Sequence, residues 1–330
     1  MSDPHVEAHL RRPYGPRDAA DAWAEGERGR FWGLNGAAGL LAHDPDRGVL
    51  MQHRVGWSHF GGTWGLPGGA RHLDEDAIAG ALRESHEEAG VVVADLRLLA
   101  THLFDVGYWT YTTVIAEVTA PFEPVIGDAE SLELAWLSFA EVESRELHPG
   151  VANMWPELRA RLEHRPVLVV DVANVMGSRP DGWWKDRAGA AQRLVSQLSD
   201  LAYDGVPGPL FGLADEWRLW PRIVAVVEGQ ARGIDAPEQG TRGALDIVRA
   251  SQDGDQAIVD TVTGLLCADD AAPHDDGSPH DSTAPHDNAA PHESTSPHVT
   301  VVTSDRELRS RAEGAGARTI GAGTLLGLFA

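Results

Sequence analysis

Two residue types that often organise a chain of this size are almost missing. Of 330 residues, one is cysteine, Cys267, and one is lysine, Lys185. A single thiol excludes an internal disulfide framework and fits a reducing compartment, so a cytoplasmic location is expected. Long apolar runs are also missing, none reaching the roughly 18 residues of a membrane-spanning helix. The opening stretch, MSDPHVEAHLRRPYG, lacks the apolar segment of a signal peptide. Positive charge is scarce: 27 Lys and Arg stand against 50 Asp and Glu, for a formal net charge of -23. That balance excludes a broad basic footprint for nucleic acid. It does not exclude nucleotides, or RNA held through metal ions and a local arginine set.

The length suffices for two domains, each with its own core. Residues 1–30 read as a polar N-terminal extension with a short helix over DAADAWAEGE. Apolar strands follow in GAAGLLAH and GVLMQHR, separated by DPDRG, a natural hairpin turn. Further strands are expected in VVVADLRLLATHLF, YWTYTTVIAEVT and LELAWLSF, and helix around 139–164. Residues 31–164 are thus predicted to be an α+β domain, a mixed sheet flanked by helices. At HRPVLVVDVANV the pattern changes, because Val167–Val170 form the wholly apolar run of a buried parallel strand. Alternating strands and helices then predict an α/β domain over 165–330 with a mainly parallel sheet. An insert at 268–299 repeats Pro-His every six residues, at His274, His280, His286, His292 and His298. It has too little apolar surface to offset the entropy of ordering, which predicts disorder.

The stretch GARHLDEDAIAGALRESHEEAG, residues 69–90, concentrates acid on a helix. At 100° per residue Glu84, Glu87 and Glu88 span an arc of roughly 100°. Ile78, Ala81, Leu82, Ser85 and Ala89 fall on the opposite side. Carboxylates so close repel each other unless cations sit between them, and oxygen-rich sites suit Mg²⁺ or Mn²⁺. A solvated acidic face is the alternative. A second set of acids lies after the apolar strands of the other domain: Asp171 and Asn174 after VLVV, Asp255 at a helix start, and Asp305 after VTVVTS. Such strand ends gather over one crevice of a parallel sheet. Helix capping is the alternative for Asp305 and Asp255.

The first segment resembles the Nudix hydrolase signature, matched without a gap by Gly69, Glu75, Arg83, Glu84, Glu87, Glu88, Gly90 and Val91, with Ser85 where an aliphatic residue is usual. The resemblance covers roughly 33–160. It implies that Glu84, Glu87 and Glu88 hold divalent metals, Mg²⁺ or Mn²⁺, that Arg83 pairs with a glutamate, and that Glu75 supports the local geometry. Gly68 and Gly69 would allow a tight turn, and Gly90 would close the helix in a left-handed conformation. The implied reaction is attack of water on a phosphoanhydride in a nucleoside diphosphate linked to a further group. A general base would come from the signature or a later loop, with Glu133 the leading candidate and Glu130 a second. Arg54 is a candidate for phosphate contact. Trp57, Phe60 and Trp64 are candidates for stacking on a base or for packing, Trp64 more for packing.

The other half resembles NYN domains, PIN-like nucleases of the YacP-like branch, through VVDVANVMG and VVTSDRELRSRAEGAGA. This resemblance covers about 165–330. It implies that Asp171, Asp255 and Asp305 are metal ligands with Asn174 and Ser304 in support, that Asp253 or Asp260 could exchange with Asp255, and that RNA is a partner. Val172 departs from the usual glycine. Asp186 is a further candidate ligand or a helix cap, and Trp183, Trp184 and Lys185 are candidates for an RNA-facing edge. Three readings stay open: hydrolase plus ribonuclease, hydrolase plus non-catalytic RNA-binding module, and a catalytically silent nucleotide sensor.

Overall fold

The computed structural model describes residues 18–235, 243–270 and 298–329. Most of the N-terminal extension and nearly all of the Pro-His repeat lie outside the described residues. The chain divides into two units: Met1–Glu163 with Glu216–Arg218, and His164–Asp215 with Leu219–Ala330.

The first unit opens on a hairpin, β1 (Trp23–Gly26) and β2 (Gly29–Trp32), where the sequence reading expected a short helix. The aromatic content decides this. Trp23 and Trp32 face each other across the pair with ring centroids 5.3 Å apart, and aromatic cross-strand pairs favour sheet. Gly29, at φ 114°, takes the turn.

The main sheet is built on β3 (Ala37–Asp44), buried along almost its whole length. It pairs parallel with β8 (Thr110–Val118) and antiparallel with β4 (Gly48–Arg54) and β6 (Gly68–Ala70). Beyond these, β7 (Leu96–Asp105) joins β8, while β5 (Trp64–Gly65) and β9 (Ser131–Leu137) join β4, all antiparallel. The result is the mixed sheet expected for the Nudix fold, with Leu40, Leu41, Leu50, Met51 and Ile115 fully buried. Helix α1 (Ala77–Ala89) packs against β3, β6 and β8. Asp76 caps its start by accepting the Ala79 N–H at 2.8 Å, and Gly90 ends it at φ 67°. Small residues carry the buried face: Gly80, Ala81, Ser85 and Ala89. Ser138 and Glu141 form a capping box at α2 (Phe139–Ser144), and α3 (Pro149–Glu163) follows.

In the second unit β10 (Val167–Asp171) leads into α4 (Val172–Gly177) and α5 (Arg187–Asp204). Short strand β11 (Val206–Pro207) precedes β13 (Arg222–Val227) and β14 (Leu245–Arg249), while Trp217 and Arg218 of β12 (Trp217–Leu219) belong to the first unit. Helix α6 (Gly254–Asp270), β15 (Val299–Val302), α7 (Arg306–Gly314), β16 (Arg318–Ile320) and α8 (Ala322–Leu326) complete it. The sheet order is β14-β13-β10-β15-β16, every pair parallel. One of its faces packs Val167, Val169, Val224, Val226, Val299 and Val301 against Ile258, Val262 and Leu308. The apolar runs are β-branched and buried, as parallel strands require. Their carboxyl ends deliver Asp171, Glu228 and Thr303-Ser304-Asp305 to one edge.

Candidate functional site

Glu88 is the centre of the first unit's acidic group. The helix that carries it turns the residue inward, and only 5% of it is exposed. Its Oε2 accepts the Gly68 N–H at 2.9 Å and lies 3.5 Å from Gln52 Nε2. The segment beyond β8 is tied to the end of α1 by Val125 N–H to Ala89 O, 3.0 Å, and Gly127 N–H to Glu88 O, 2.9 Å. A Cβ at Gly127 would stand 1.8 Å from Glu87 O, so only glycine allows this approach. The tie brings Asp128 and Glu130 beside Glu88. Carboxylate oxygens of the three lie within 4.8 Å of one another, the only such group among the described residues. Burial, and then the charges of Glu84 and Asp128, push the Glu88 carboxyl well above the usual carboxylate range, against the opposing charge of Arg54. A hard divalent cation fits this oxygen set, because it would relieve that repulsion.

Glu84 and Glu87 lie on the same helix but are held differently. Arg83 makes a two-pronged contact with Glu75, Nε to Oε1 and Nη2 to Oε2 both 2.8 Å. It also donates to Glu84 Oε1 at 2.8 Å and to Ala70 O at 3.0 Å, with Glu87 Oε2 at 3.8 Å. The paired guanidinium holds Glu75 below the usual carboxylate range. Gly69 lies under Glu84, and a Cβ there would meet its carboxylate at 2.7–2.9 Å.

Gly68, Gly69 and Glu130 also border a cavity of about 490 Å³. Its wall is aromatic: Trp57 and Phe60 from the loop after β4, Trp23, Phe31 and Trp32 from the β1–β2 hairpin, and Trp109 and Tyr111 from β8 and its preceding turn. Arg54 lines it as well, donating to His59 O at 3.2 Å and reaching Gln52 Oε1 at 3.4 Å. Phe60 is half-exposed and held at φ 54°, rare for a bulky side chain and a mark of imposed strain. Burial, with the charge of Arg54 and the nearby His59, lowers His148 to about 4, so it lines the cavity as a neutral ring. Burial pushes the Tyr111 hydroxyl up to about 12. Trp64 is buried and stacks on His53 with centroids 4.9 Å apart. Glu133 is exposed on β9, in register with His53, and is not part of the cavity wall.

Sequence reasoning overlooked Asp128, the hairpin aromatics, Trp109, Tyr111 and His148. For Asp128 the sequence carried a local signal, an acid after Gly127 whose side chain accepts the Glu130 N–H at 3.0 Å, a turn-forming bond. Trp23 carried none once DAADAWAEGE was read as helix.

In the second unit, Asp171 is buried and accepts from Asn174 N–H at 3.0 Å and Thr303 Oγ1 at 2.9 Å. Burial, and further the charges of Asp255 and Glu228, raise its pKa. Burial and the neighbouring Asp253 and Asp305 raise that of Asp255. Asn174 Oδ1 accepts the Ser304 N–H at 2.8 Å, which ties the ends of β10 and β15. Asp305 caps α7 through Glu307 and Leu308, and Asp186 caps α5 through Gly189. Asp253 accepts the Asp255 N–H at 3.0 Å, and Asp260 accepts from Gln256 at 2.7 Å. Glu228, missed from sequence, bonds the Gly254 N–H at 3.1 Å. Trp183 and Trp184 meet edge-on, with Trp184 59% exposed and Lys185 in the same turn. No helix among the described residues is long and apolar enough to cross a membrane.

Comparison with known proteins bears on the first unit. The NUDIX domain model matches residues 33–158. A putative 8-oxo-dGTP diphosphatase 3 of Mycobacterium tuberculosis is 44% identical over 154 residues, covering 43% of this chain and 70% of that protein. A nucleoside triphosphate pyrophosphatase/Nudix hydrolase fusion protein of Bifidobacterium longum is 43% identical over 152 residues, covering 43% of this chain. The chain spans about a third (32%) of that relative's length. Among solved structures, the Nudix hydrolase RenU of M. smegmatis is 44% identical over 42% of this chain and 92% of its own, with a TM-score of 0.38.

Proposed function

The chain belongs to the Nudix family, and on that premise we propose that its first unit hydrolyses a phosphoanhydride bond in a nucleoside diphosphate linked to a further group, with Mg²⁺ or Mn²⁺ as cofactor. One observation carries the reading. The convergent carboxylates of Glu88, Asp128 and Glu130 meet an aromatic cavity at Gly68 and Gly69, so a diphosphate and an attached base have adjoining places. Glu88, Asp128 and Glu130 would hold the cation, with Glu84 and Glu87 on the same helix completing or succeeding them. When bound, such a cation lowers the pKa of water and neutralises charge on the leaving phosphate. Arg83 fixes Glu84 and so shapes the floor under the diphosphate. Arg54, bordering the cavity, is the phosphate contact. Trp57 and Phe60 offer faces for a base. Glu130 serves as a cation ligand in this reading and exposed Glu133 lies outside the cavity wall, so neither is assigned as general base.

The test is cleavage of nucleotide sugars, dinucleoside polyphosphates, oxidised nucleoside triphosphates and 5′-triphosphate RNA, read by chromatography as release of the two phosphorylated products. Mg²⁺-dependent release is expected from at least one, and Glu87→Gln or Glu88→Gln lowers it by about 10²-fold or more, the scale of losing a preorganised charge. No release from any member refutes the reading and favours the nucleotide sensor.

For the second unit the proposed role is that of a NYN, PIN-like domain acting on RNA in the cytoplasm. Asp171, Asp255 and Asp305 would be its metal ligands, Glu228 and Asp253 their neighbours, and Asn174 and Ser304 their supports. Support comes from the parallel sheet that gathers these acids at one edge and from the raised pKa values of Asp171 and Asp255, which burial raises first and neighbouring carboxylates raise further. Mn²⁺-dependent cleavage of labelled RNA should fall in Asp171→Asn and Asp305→Asn. Equal rates in all three proteins leave RNA binding without cleavage.

A further inference from the structure

The hairpin β1–β2 precedes the residues that the family model matches, which begin at 33. It nevertheless supplies Trp23, Phe31 and Trp32 to the cavity wall. The hairpin is fastened there rather than resting there. Phe31 stacks on Trp109 at 4.3 Å, nearly parallel at 15°. Trp109 Nε1 donates to Trp32 O at 3.0 Å, and the Tyr108 hydroxyl to Gly29 O at 2.8 Å. A Cβ at Gly26 would strike the Tyr108 ring at 2.2 Å, so the strand lies flat against it. The opposite wall brings Phe60, pinned at φ 54° between His59 and His148 at 4.2 and 4.9 Å. Rings fixed on both sides of a cavity lose little freedom on binding and favour a flat, polarisable ligand.

We propose that the β1–β2 hairpin is a specificity element of the nucleotide cleft, in which Trp23 and Trp32 recognise the aromatic base while the acidic group recognises the diphosphate. The proposal rests on the reading that this cleft holds a nucleotide. It is tested by titration calorimetry of the full chain with Mg²⁺ and ADP, GDP or UDP, against inorganic diphosphate as the probe without a base. Trp23→Ala and Trp32→Ala are expected to weaken the best-bound nucleoside diphosphate by about tenfold or more, the scale of losing a base–aromatic stack. Their affinity for inorganic diphosphate should stay unchanged, which also reports that the variants are folded. Trp23→Phe keeps a ring but not the N–H, and should recover part of the lost affinity. Equal weakening for both ligands, no weakening for either, or no binding of any nucleoside diphosphate to the wild type overturns the proposal. Failure of the hydrolase reading looks different. Wild-type protein would then cleave no phosphoanhydride in any of those nucleotides, yet the base-dependent difference in binding would persist.

Discussion

Replacing Arg83 by methionine keeps the apolar stem and removes the guanidinium. In the wild type that group makes two parallel bonds to Glu75, one to Glu84 and one to Ala70 O, all at 2.8–3.0 Å. An exposed ion pair contributes under ~1 kcal/mol, and removing one partner of a buried pair costs about 3–5 kcal/mol. Side-chain exposures of 20% for Arg83, 13% for Glu75 and 15% for Glu84 place this site between those limits. The forked geometry and the stranded second carboxylate favour the upper half, so a loss of about 2–3 kcal/mol is expected. For a unit of this size that shifts its thermal midpoint down by about 4–12 °C. The pH dependence gives a second check. Glu75 has its folded pKa depressed, chiefly by the bond from Arg83, so its contribution is present above 4.5 and is lost as pH falls through the lower, folded value. Calorimetric scans of wild type and Arg83→Met should therefore differ most near neutrality and converge in acid. Arg83→Lys keeps the charge without the fork and should recover only part of the loss. A difference under ~1 kcal/mol at neutral pH, as for a surface pair, refutes the reasoning. So does a difference that does not change with pH.

Adjacent glycines should separate stability from activity. A Cβ at Gly68 would sit 2.4 Å from Ala38 O and Gly39 Cα, both backbone, so Gly68→Ala is expected to cost about 1–3 kcal/mol in urea unfolding. At Gly69 the three atoms nearest the added one all belong to the Glu84 carboxylate, the far end of a side chain, so Gly69→Ala should fold nearly normally yet lose about tenfold or more in kcat through the displaced acid. The neutral state of His148 makes a pH prediction. Its folded pKa of about 4 lies below the ordinary histidine value of 6.5, so the unfolded chain binds the extra proton between them and stability falls as pH drops through that window. His148→Asn should flatten the midpoint-against-pH curve between those values, and an unchanged slope counts against the assigned burial.

Much of the fold was legible because its determinants are local and periodic. The apolar run at 167–170, the β-branched VTVV and the alternation of strand and helix around them predict a parallel sheet, and all the strands so read pair in parallel. The helix from 77 to 89 was legible through its spacing, with Asp76 before it and Gly90 after it. The segment at 23–32 was not, because DAADAWAEGE is rich in Ala and Glu, good helix formers, and the pairing of Trp23 with Trp32 is a tertiary choice that overrides propensity. The arrangement of acids had the same limit. Helix periodicity placed Glu84, Glu87 and Glu88 on one side, but the sequence has no means of showing that Glu88 turns inward or that Asp128 and Glu130 approach from a loop some forty residues later. Such closeness is made by Gly127 and two backbone bonds to the end of α1, which no spacing rule encodes.

The same features explain why a site built from mutually repelling groups stays assembled. Left to electrostatics, Glu88 and Asp128 would move apart, and burial adds to the pressure on Glu88 to give up its charge. What opposes separation is uncharged: the Gly68 N–H on Glu88 Oε2, the two backbone bonds at Val125 and Gly127, and the Gln52 amide on Ser131 Oγ at 2.8 Å. None of these weakens with salt in the way that an exposed ion pair does. The strong charge pairing of Arg83 with Glu75 acts a turn away and fixes Glu84, not Glu88. The helix thus separates two tasks along its length, one stretch neutralised and structural, the next left in excess negative charge. A ligand that brings positive charge finds the second stretch already ordered, and its binding energy goes into relieving repulsion and little into organising the chain.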